Sequence, residues 1–388
     1  MIGVHTLADI AARTGTPCYV YDAGEIRTRF AAVASVFPGV DIRYFVKANP
    51  HPRIVELLVH AGAGAAVTSP RELEVAIAAG LSPDRIGVYG PGKSGPDLEH
   101  YLAHGVHDFD VDSPRQLAAL ESACAALGRR ATATLRINPR QSVEGAGESM
   151  AGGPSAFGID EESVADLLGK LDGRCVRVNG VHVHAASQVL ETEQLLAHYE
   201  RTASAARRIA RALGFPLEVV DLGGGIGIPH AAGDRAIDLP ALGRRALAIL
   251  ERALDGSVPA PTVRLDLGRF LVGDGGLFLT RVVDVKHSRG VRFAVTDGGI
   301  SGFSRPAMPW AGAHRCSLIP ERPGELRTYR VVGRSCMPAD VLSREALLPE
   351  LVPGDLVVFR QAGAYGLTMS LVWWSGSDPP PEVVHEEV

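Results

Sequence analysis

The feature that most constrains this chain is a repeat of form rather than of letters. Between residues 42 and 267, short apolar runs that end in a polar residue alternate with stretches of helical character. The runs cover residues 42–46, 65–68, 86–89, 108–111, 132–137, 180–184, 217–222 and 263–267. Apolar runs of this length bounded by turn residues read as buried parallel strands. Eight of them alternating with helices predict a (β/α)8 TIM-like barrel, with a doubly wound open sheet as the alternative. Two units share a helix start. Ser69-Pro70-Arg71-Glu72 and Ser113-Pro114-Arg115-Gln116 each place Ser at the cap, Pro at the first helical position and Glu or Gln at the third, a capping-box pattern.

After residue 276 the helical pattern fades, and 277–285, 291–296, 327–332 and 356–360 read as strands. A second, all-β domain is expected there. Ahead of the barrel, a helix-like piece at 7–13 and the turn Thr14-Gly15-Thr16-Pro17 lead into a β-rich run at 18–22, which is assigned to the same domain. The predicted division is a barrel over 28–270 and a β domain from 1–27 with 271–388. A polar tail is expected from Asp378.

Composition narrows the function classes. The chain has 388 residues and a net charge of −5, with Lys and Arg scattered, which argues against nucleic acid and gives no reason to invoke an anionic membrane. Five widely spaced cysteines without a C-x-x-C suit a reduced, cytoplasmic setting better than a disulfide framework. No leader-like pattern opens the sequence, and no apolar run is long enough to span a bilayer.

In a barrel, chemistry collects at the C-terminal ends of the strands. The polar residues there are Lys47, Arg136, His184, Asp221, Asp266 and Arg269. Lys47 follows a buried run, so a drier setting is expected; desolvation lowers an ammonium pKa and frees the amine that a Schiff base needs. The bland reading is a lysine snorkelling from a strand end. Asp221-Leu222-Gly223-Gly224-Gly225-Ile226-Gly227 offers backbone N–H groups to an anion, or is a plain tight turn. Asp266-Leu267-Gly268-Arg269 offers a carboxylate for a protonated ring nitrogen and a guanidinium for a phosphate, or a structural ion pair. Strand alternation puts His182 and His184 on one face. A zinc pair needs a third ligand that the spacing does not supply, and a flat imidazole over a cofactor ring suits His184 better. Gly87 to Ser94 matches a Walker A pattern, but the following Gly95-Pro96 favours a turn over the helix that such a loop requires.

A Schiff-base lysine, a ring-nitrogen carboxylate, a stacking imidazole and a phosphate cradle together suit pyridoxal phosphate. At these motifs the chain resembles the fold-type III pyridoxal-phosphate decarboxylases, the diaminopimelate and ornithine decarboxylase family, over about residues 19–371. The resemblance rests on Val46-Lys47-Ala48-Asn49, on His184 and Ser187, on Gly223 to Gly225 and on Asp266-Leu267-Gly268-Arg269. It continues through Cys336-Met337-Pro338-Ala339-Asp340 and Tyr365 in Gly363-Ala364-Tyr365-Gly366. It implies a lysine-linked cofactor on Lys47, stacking by His184, phosphate binding by Ser187 and the glycine run, and cofactor contacts from Asp266, Gly268, Arg269 and Tyr365. It also implies a head-to-tail homodimer in which Cys336 reaches the partner's active site and returns a proton after carbon dioxide leaves. The bland reading of Cys336 is a buried small hydrophobe.

Departures from the family bear on substrate. Met337 stands where an acid usually holds a distal amine. Arg305 matches a family arginine for a distal carboxylate, while Pro309 replaces an expected tyrosine. Ala66 and Ala156 replace an Asp and a Lys. Met337 and Asp340 join Arg305 as expected substrate residues. The stretch Gly147-Glu148-Ser149-Met150-Ala151-Gly152-Gly153-Pro154 and the cysteine motif are similar to decarboxylases that act on aminoacyl groups carried on acyl carrier protein. The expected activity is therefore α-decarboxylation of an acidic aminoacyl group, glutamyl or methylaspartyl, tethered to a carrier protein. A free diaminopimelate-like amino acid, an alanine-racemase-like reaction and a non-catalytic regulatory homologue are the alternatives. No metal is expected.

Overall fold

The computed structural model describes residues 2–142, 148–167, 173–230, 233–257, 259–308 and 314–386. Two compact units divide the chain: Phe30–Gly227 with Ala236–Gly268, and Met1–Arg29 with Ile228–Arg235 and Arg269–Val388.

The first unit is a closed barrel of parallel strands. In chain order these are Asp41–Phe45, Gly64–Val67, Ile86–Val88, Asp108–Val111, Ala131–Asn138, Val176–His182, Val219–Asp221 and Thr262–Leu267. Each pairs with its predecessor, and the eighth pairs back onto the first through Leu265 to Ile42 and Leu267 to Tyr44. Every expected run is a strand, because strands covered on both faces are largely apolar. Fully burying a side chain such as Val67, Val88 or Leu135 contributes about 1.5–3 kcal/mol. Helices follow most strands, at Pro52–His60, Pro70–Ala78, Gly95–Ala103, Pro114–Leu127, Thr192–Leu213 and Leu239–Leu254. After the fifth strand, the helical structure among the described residues is the 3-10 segment Glu161–Leu167 alone.

Helix starts are specified locally, with two corrections to the expected pattern. Ser69 and Ser113 cap their helices by accepting from Glu72 N–H and Gln116 N–H. The returning side chains of Glu72 and Gln116, however, bond the N–H one residue earlier, on Thr68 and Asp112. The reciprocal box sits instead at Ser94 and Asp97, at the start of Gly95–Ala103. A helix does begin where Gly95-Pro96 led us to expect only a turn: proline is tolerated in the first helical turn, whose N–H groups lack intrahelical partners anyway.

The second unit is an eight-stranded sheet. Its path runs Cys316–Ile319, Leu356–Arg360, Gly276–Ser288, Val291–Thr296, Arg327–Val332, Val341–Leu348. Cys18–Asp22 joins it antiparallel to Gly276–Ser288, as expected, and pairs in parallel with Glu382–His385. The expected polar tail is thus partly a strand. Leu7, Ile10 and Ala11 of the helix Val4–Thr14 pack with Cys18, Val20, Leu279, Ile319 and Val358 into one apolar cluster.

Candidate active site

A cavity of about 230 Å³ opens among the strand ends of the barrel unit, lined by Phe45, Lys47, Tyr89, Lys93, Arg136, His184 and their neighbours. Lys47 corrects the sequence expectation. Its strand stops at Phe45, and Val46–Ala48 form a 3-10 turn closed by Asn49 N–H on Val46 C=O at 3.1 Å. A 3-10 turn spreads three successive side chains about 120° apart, so they cannot all face inward: Val46 and Ala48 are buried and Lys47 faces out. Lys47 is therefore exposed rather than held dry, with Nζ 4.3 Å from the centroid of the Phe45 ring.

His182 closes the sixth strand, and His184 stands two residues beyond it; their rings are tilted 6.5 Å apart. Their protonation states differ. Burial alone would push the His182 pKa down, but Asp110, 3.1 Å from Nδ1, and Asp221 outweigh it and raise the pKa to about 9. Burial, then Arg136, His182, Lys47 and His198, hold His184 well below the ordinary value. His184 is thus a neutral imidazole. Its Nδ1 accepts Gly224 N–H at 3.1 Å, so Nε2 carries the proton.

Two carboxylates below these rings are also driven apart. Asp221 accepts Tyr89 O–H at 2.9 Å and Gly223 N–H at 2.8 Å. Burial opposes its charge, but His182, Arg264 and these donors keep its pKa below the usual range. Asp266 is raised far above that range by burial and by the charge on Asp221. Its Oδ2 is buried with no hydrogen-bond partner among the described residues. His182, Asp221 and Asp266 bring donor atoms within 4.8 Å of one another, a cluster that sequence spacing did not reveal.

The glycine run is built for close approach. Gly223 has φ 64°, and a Cβ on Gly224 would lie 2.3 Å from the Asp266 carbonyl oxygen. Ser187 belongs to the short strand Ala186–Ser187, which pairs antiparallel with Glu148–Ser149. Met150 N–H bonds Ala185 C=O, and Met150 lines the cavity. The carrier-decarboxylase-like stretch therefore borders this site, although Gly147 itself lies outside the described residues.

The other expected residues belong to the β unit. Arg269 holds its guanidinium 5.0 Å from the centroid of the Tyr365 ring, and Tyr365 sits at φ 57°. A Cβ on Gly363 would meet Val272 C=O, so the turn presenting Tyr365 requires glycine there. Arg305 is buried in a short 3-10 turn, and Pro309 lies outside the described residues. Cys336 is exposed, not a buried hydrophobe, and Met337 beside it is half-buried. Asp340 is another of the expected substrate residues. It is buried, accepting Ile300 N–H at 2.8 Å on Oδ1 and Ser335 N–H and O–H at 3.0 and 2.5 Å on Oδ2. Its carboxylate holds the cysteine loop together.

Sequence reasoning missed Tyr89, Asp110, Lys93 and Asp112 around the cavity. Alternation along Asp108–Val111 and on to Asp112 places every second residue, all three of them aspartates, on one face, and that was the available signal.

A closed parallel barrel with an exposed lysine, a neutral imidazole, a buried carboxyl with one oxygen lacking a partner among the described residues and a glycine cradle defines a cofactor-dependent enzyme of the pyridoxal type. Sequence comparison makes the assignment specific: residues 23–273 match the family described as pyridoxal-dependent decarboxylase, pyridoxal binding domain, and the chain belongs to that family. It is a pyridoxal-phosphate-dependent amino-acid decarboxylase. It is 30% identical to the L-glutamyl-[BtrI acyl-carrier protein] decarboxylase of Niallia circulans, covering 97% of this chain and 90% of the relative. It is 34% identical to a diaminopimelate decarboxylase of Pseudomonas aeruginosa, covering 94% and 86%. The crystal structure of the Helicobacter pylori diaminopimelate decarboxylase complexed with L-lysine superposes with a TM-score of 0.89 at 29% identity, covering 98% and 94%. Among the described residues, no helix is long and apolar enough to cross a membrane.

Proposed function

We propose that this enzyme removes the α-carboxylate from an acidic aminoacyl group, glutamyl or methylaspartyl, carried as a thioester on an acyl carrier protein. One observation carries the reading: the cysteine loop offers a distal ammonium no available carboxylate. Met337 follows Cys336, and the one acid of the loop, Asp340, is committed to Ile300 and Ser335. The 30% identity to a decarboxylase named for a carrier-bound glutamyl substrate supports it.

Pyridoxal phosphate supplies an electron sink conjugated to the substrate's α-carbon. Lys47 would hold its aldehyde carbon and Asp266 its ring nitrogen. The neutral His184 would lie against the ring without opposing its positive charge. Gly223, Gly224, Gly225, Ser187, Gly268, Arg269 and Tyr365 would bind the phosphate side. Arg305 would face the substrate's distal end. In a head-to-tail homodimer, Cys336 of the partner subunit would return a proton to the carbon that has lost carbon dioxide.

A free diaminopimelate-like substrate is the second reading, supported by the 34% identity to a diaminopimelate decarboxylase and by Arg305. Mass spectrometry of substrates incubated with the cofactor-loaded enzyme separates the two. Free glutamate, methylaspartate, ornithine and diaminopimelate are offered beside glutamyl-, aspartyl- and methylaspartyl-carrier proteins. Loss of carbon dioxide from a carrier-bound species alone is the expected result. Turnover of free diaminopimelate or ornithine sinks the argument from Met337.

A further inference from the structure

The stretch that matched a nucleotide loop carries a lysine to which the proposed reaction gives no part. Lys93 lines the same cavity as Lys47, Arg136 and His184. Its side chain is only 5% exposed; Nζ donates to Gly90 C=O and lies 3.6 Å from Asp112 Oδ2. Asp112 Oδ1 lies 3.7 Å from Arg136 Nη1 and accepts Gly158 N–H at 2.9 Å. The guanidinium carbon of Arg136 is 4.7 Å from the centroid of the Phe157 ring. One short loop thus supplies both a ring for Arg136 and a donor for its carboxylate. That loop has little room to shift: Gly158 sits at φ 78°, and a Cβ there would lie 2.8 Å from Asn138 N.

We propose that Lys93, Asp112 and the Phe157 ring form a clamp that fixes the Arg136 guanidinium at the wall of the cavity that His184 also lines. Lys93 and Asp112 are then positioning residues for the decarboxylation. A buried carboxylate shared by two cations can collapse onto neither, so each cation sets the place of the other. The carboxylate facing Arg136 comes from just beyond the fourth strand.

The consequence falls on His184. The groups acting on it are Arg136 from the fifth strand, His182 from the sixth, Lys47 from the turn after the first, His198 from the helix Thr192–Leu213, and the N–H of Gly224. Arg136 follows burial as the largest influence keeping its ring neutral. With Arg136 released from the clamp, a proton on His184 meets less opposition, and a cationic ring no longer suits stacking against a protonated pyridine.

The test compares the holoenzyme with Lys93→Met, Lys93→Arg, Asp112→Asn and Phe157→Leu. The readouts are kcat, KM, the pH profile of kcat and the pH titration of the bound cofactor's absorbance. Lys93→Met and Asp112→Asn are expected to lower kcat about tenfold or more with KM changed less than about threefold. The acid limb of the pH profile and the absorbance titration should both move up by about one pH unit, while Lys93→Arg retains both. A Lys93→Met enzyme with a lower Tm but an unmoved acid limb and spectrum overturns the proposal, as does a Lys93→Arg enzyme no better than Lys93→Met. If neither Lys93→Met nor Asp112→Asn folds, Phe157→Leu decides, since Phe157 is partly exposed and its loss should shift the same limb.

Discussion

At the scale of single residues, the site depends on atoms that are absent as much as on those present. Gly224 is the sharpest case. A methyl group there would press on the Asp266 carbonyl oxygen at 2.3 Å, and backbone cannot swing aside as a side chain can. Gly224→Ala is expected to cost about 1–3 kcal/mol of stability and to weaken cofactor binding at least about tenfold. Thermal melts with and without added pyridoxal phosphate, beside absorbance titration, check both. An unchanged cofactor affinity would remove Gly224 from the cradle. The same closeness explains what was legible at this scale. Lys47, His184 and Asp266 could be found from sequence because each ends an apolar run. Lys93 and Asp112 could not be matched to Arg136, because the contact depends on the lateral pairing of the third, fourth and fifth strands and on side-chain directions that spacing along the chain does not show.

At the scale of elements, burial decided what the sequence revealed. The eight barrel strands were visible because each carries a short run dominated by buried apolar residues, even where Asp108, Asp110, Arg136 or Asp266 interrupts it. Three strands of the β unit carry no strand pattern in the sequence. Val341–Leu348 reads Val-Leu-Ser-Arg-Glu-Ala-Leu-Leu, rich in good helix formers, and is a strand because its partner Arg327–Val332 satisfies its backbone. Cys316–Ile319 and Glu382–His385 are too short to show a period. Helix starts, by contrast, are local, and their energetics can be tested one at a time. Ser94 alone heads a complete capping box among the described helices, just after Lys93. Ser94→Ala should cost about 1 kcal/mol, lowering Tm by about 2–4 °C. Ser94→Thr, which keeps the hydroxyl, should recover most of the loss, and a melt of all three proteins reads the series.

At the scale of the whole molecule, the proposed assembly makes the catalytic unit a dimer. If Cys336 serves the partner's site, Lys47→Ala and Cys336→Ala are each inactive alone yet complementary together. Random mixing of the two should restore about a quarter of the wild-type activity, because half of the dimers are mixed and each of these holds one intact site in two. No recovery after demonstrated subunit exchange would place Cys336 outside the partner's site. The strand Cys18–Asp22 is synthesised well before its neighbours on either side, Gly276–Ser288 and Glu382–His385. For the time it takes to translate some 250 further residues, at roughly 5–20 residues per second, that apolar strand has neither of these neighbours. The barrel's strands lie between them in the chain and can close first. The window from the ribosome's release of residue 22 to that of residue 276 is thus when the nascent chain is most open to a chaperone or to mispairing. Slow expression and co-produced chaperones should improve its yield more than any change at the active site.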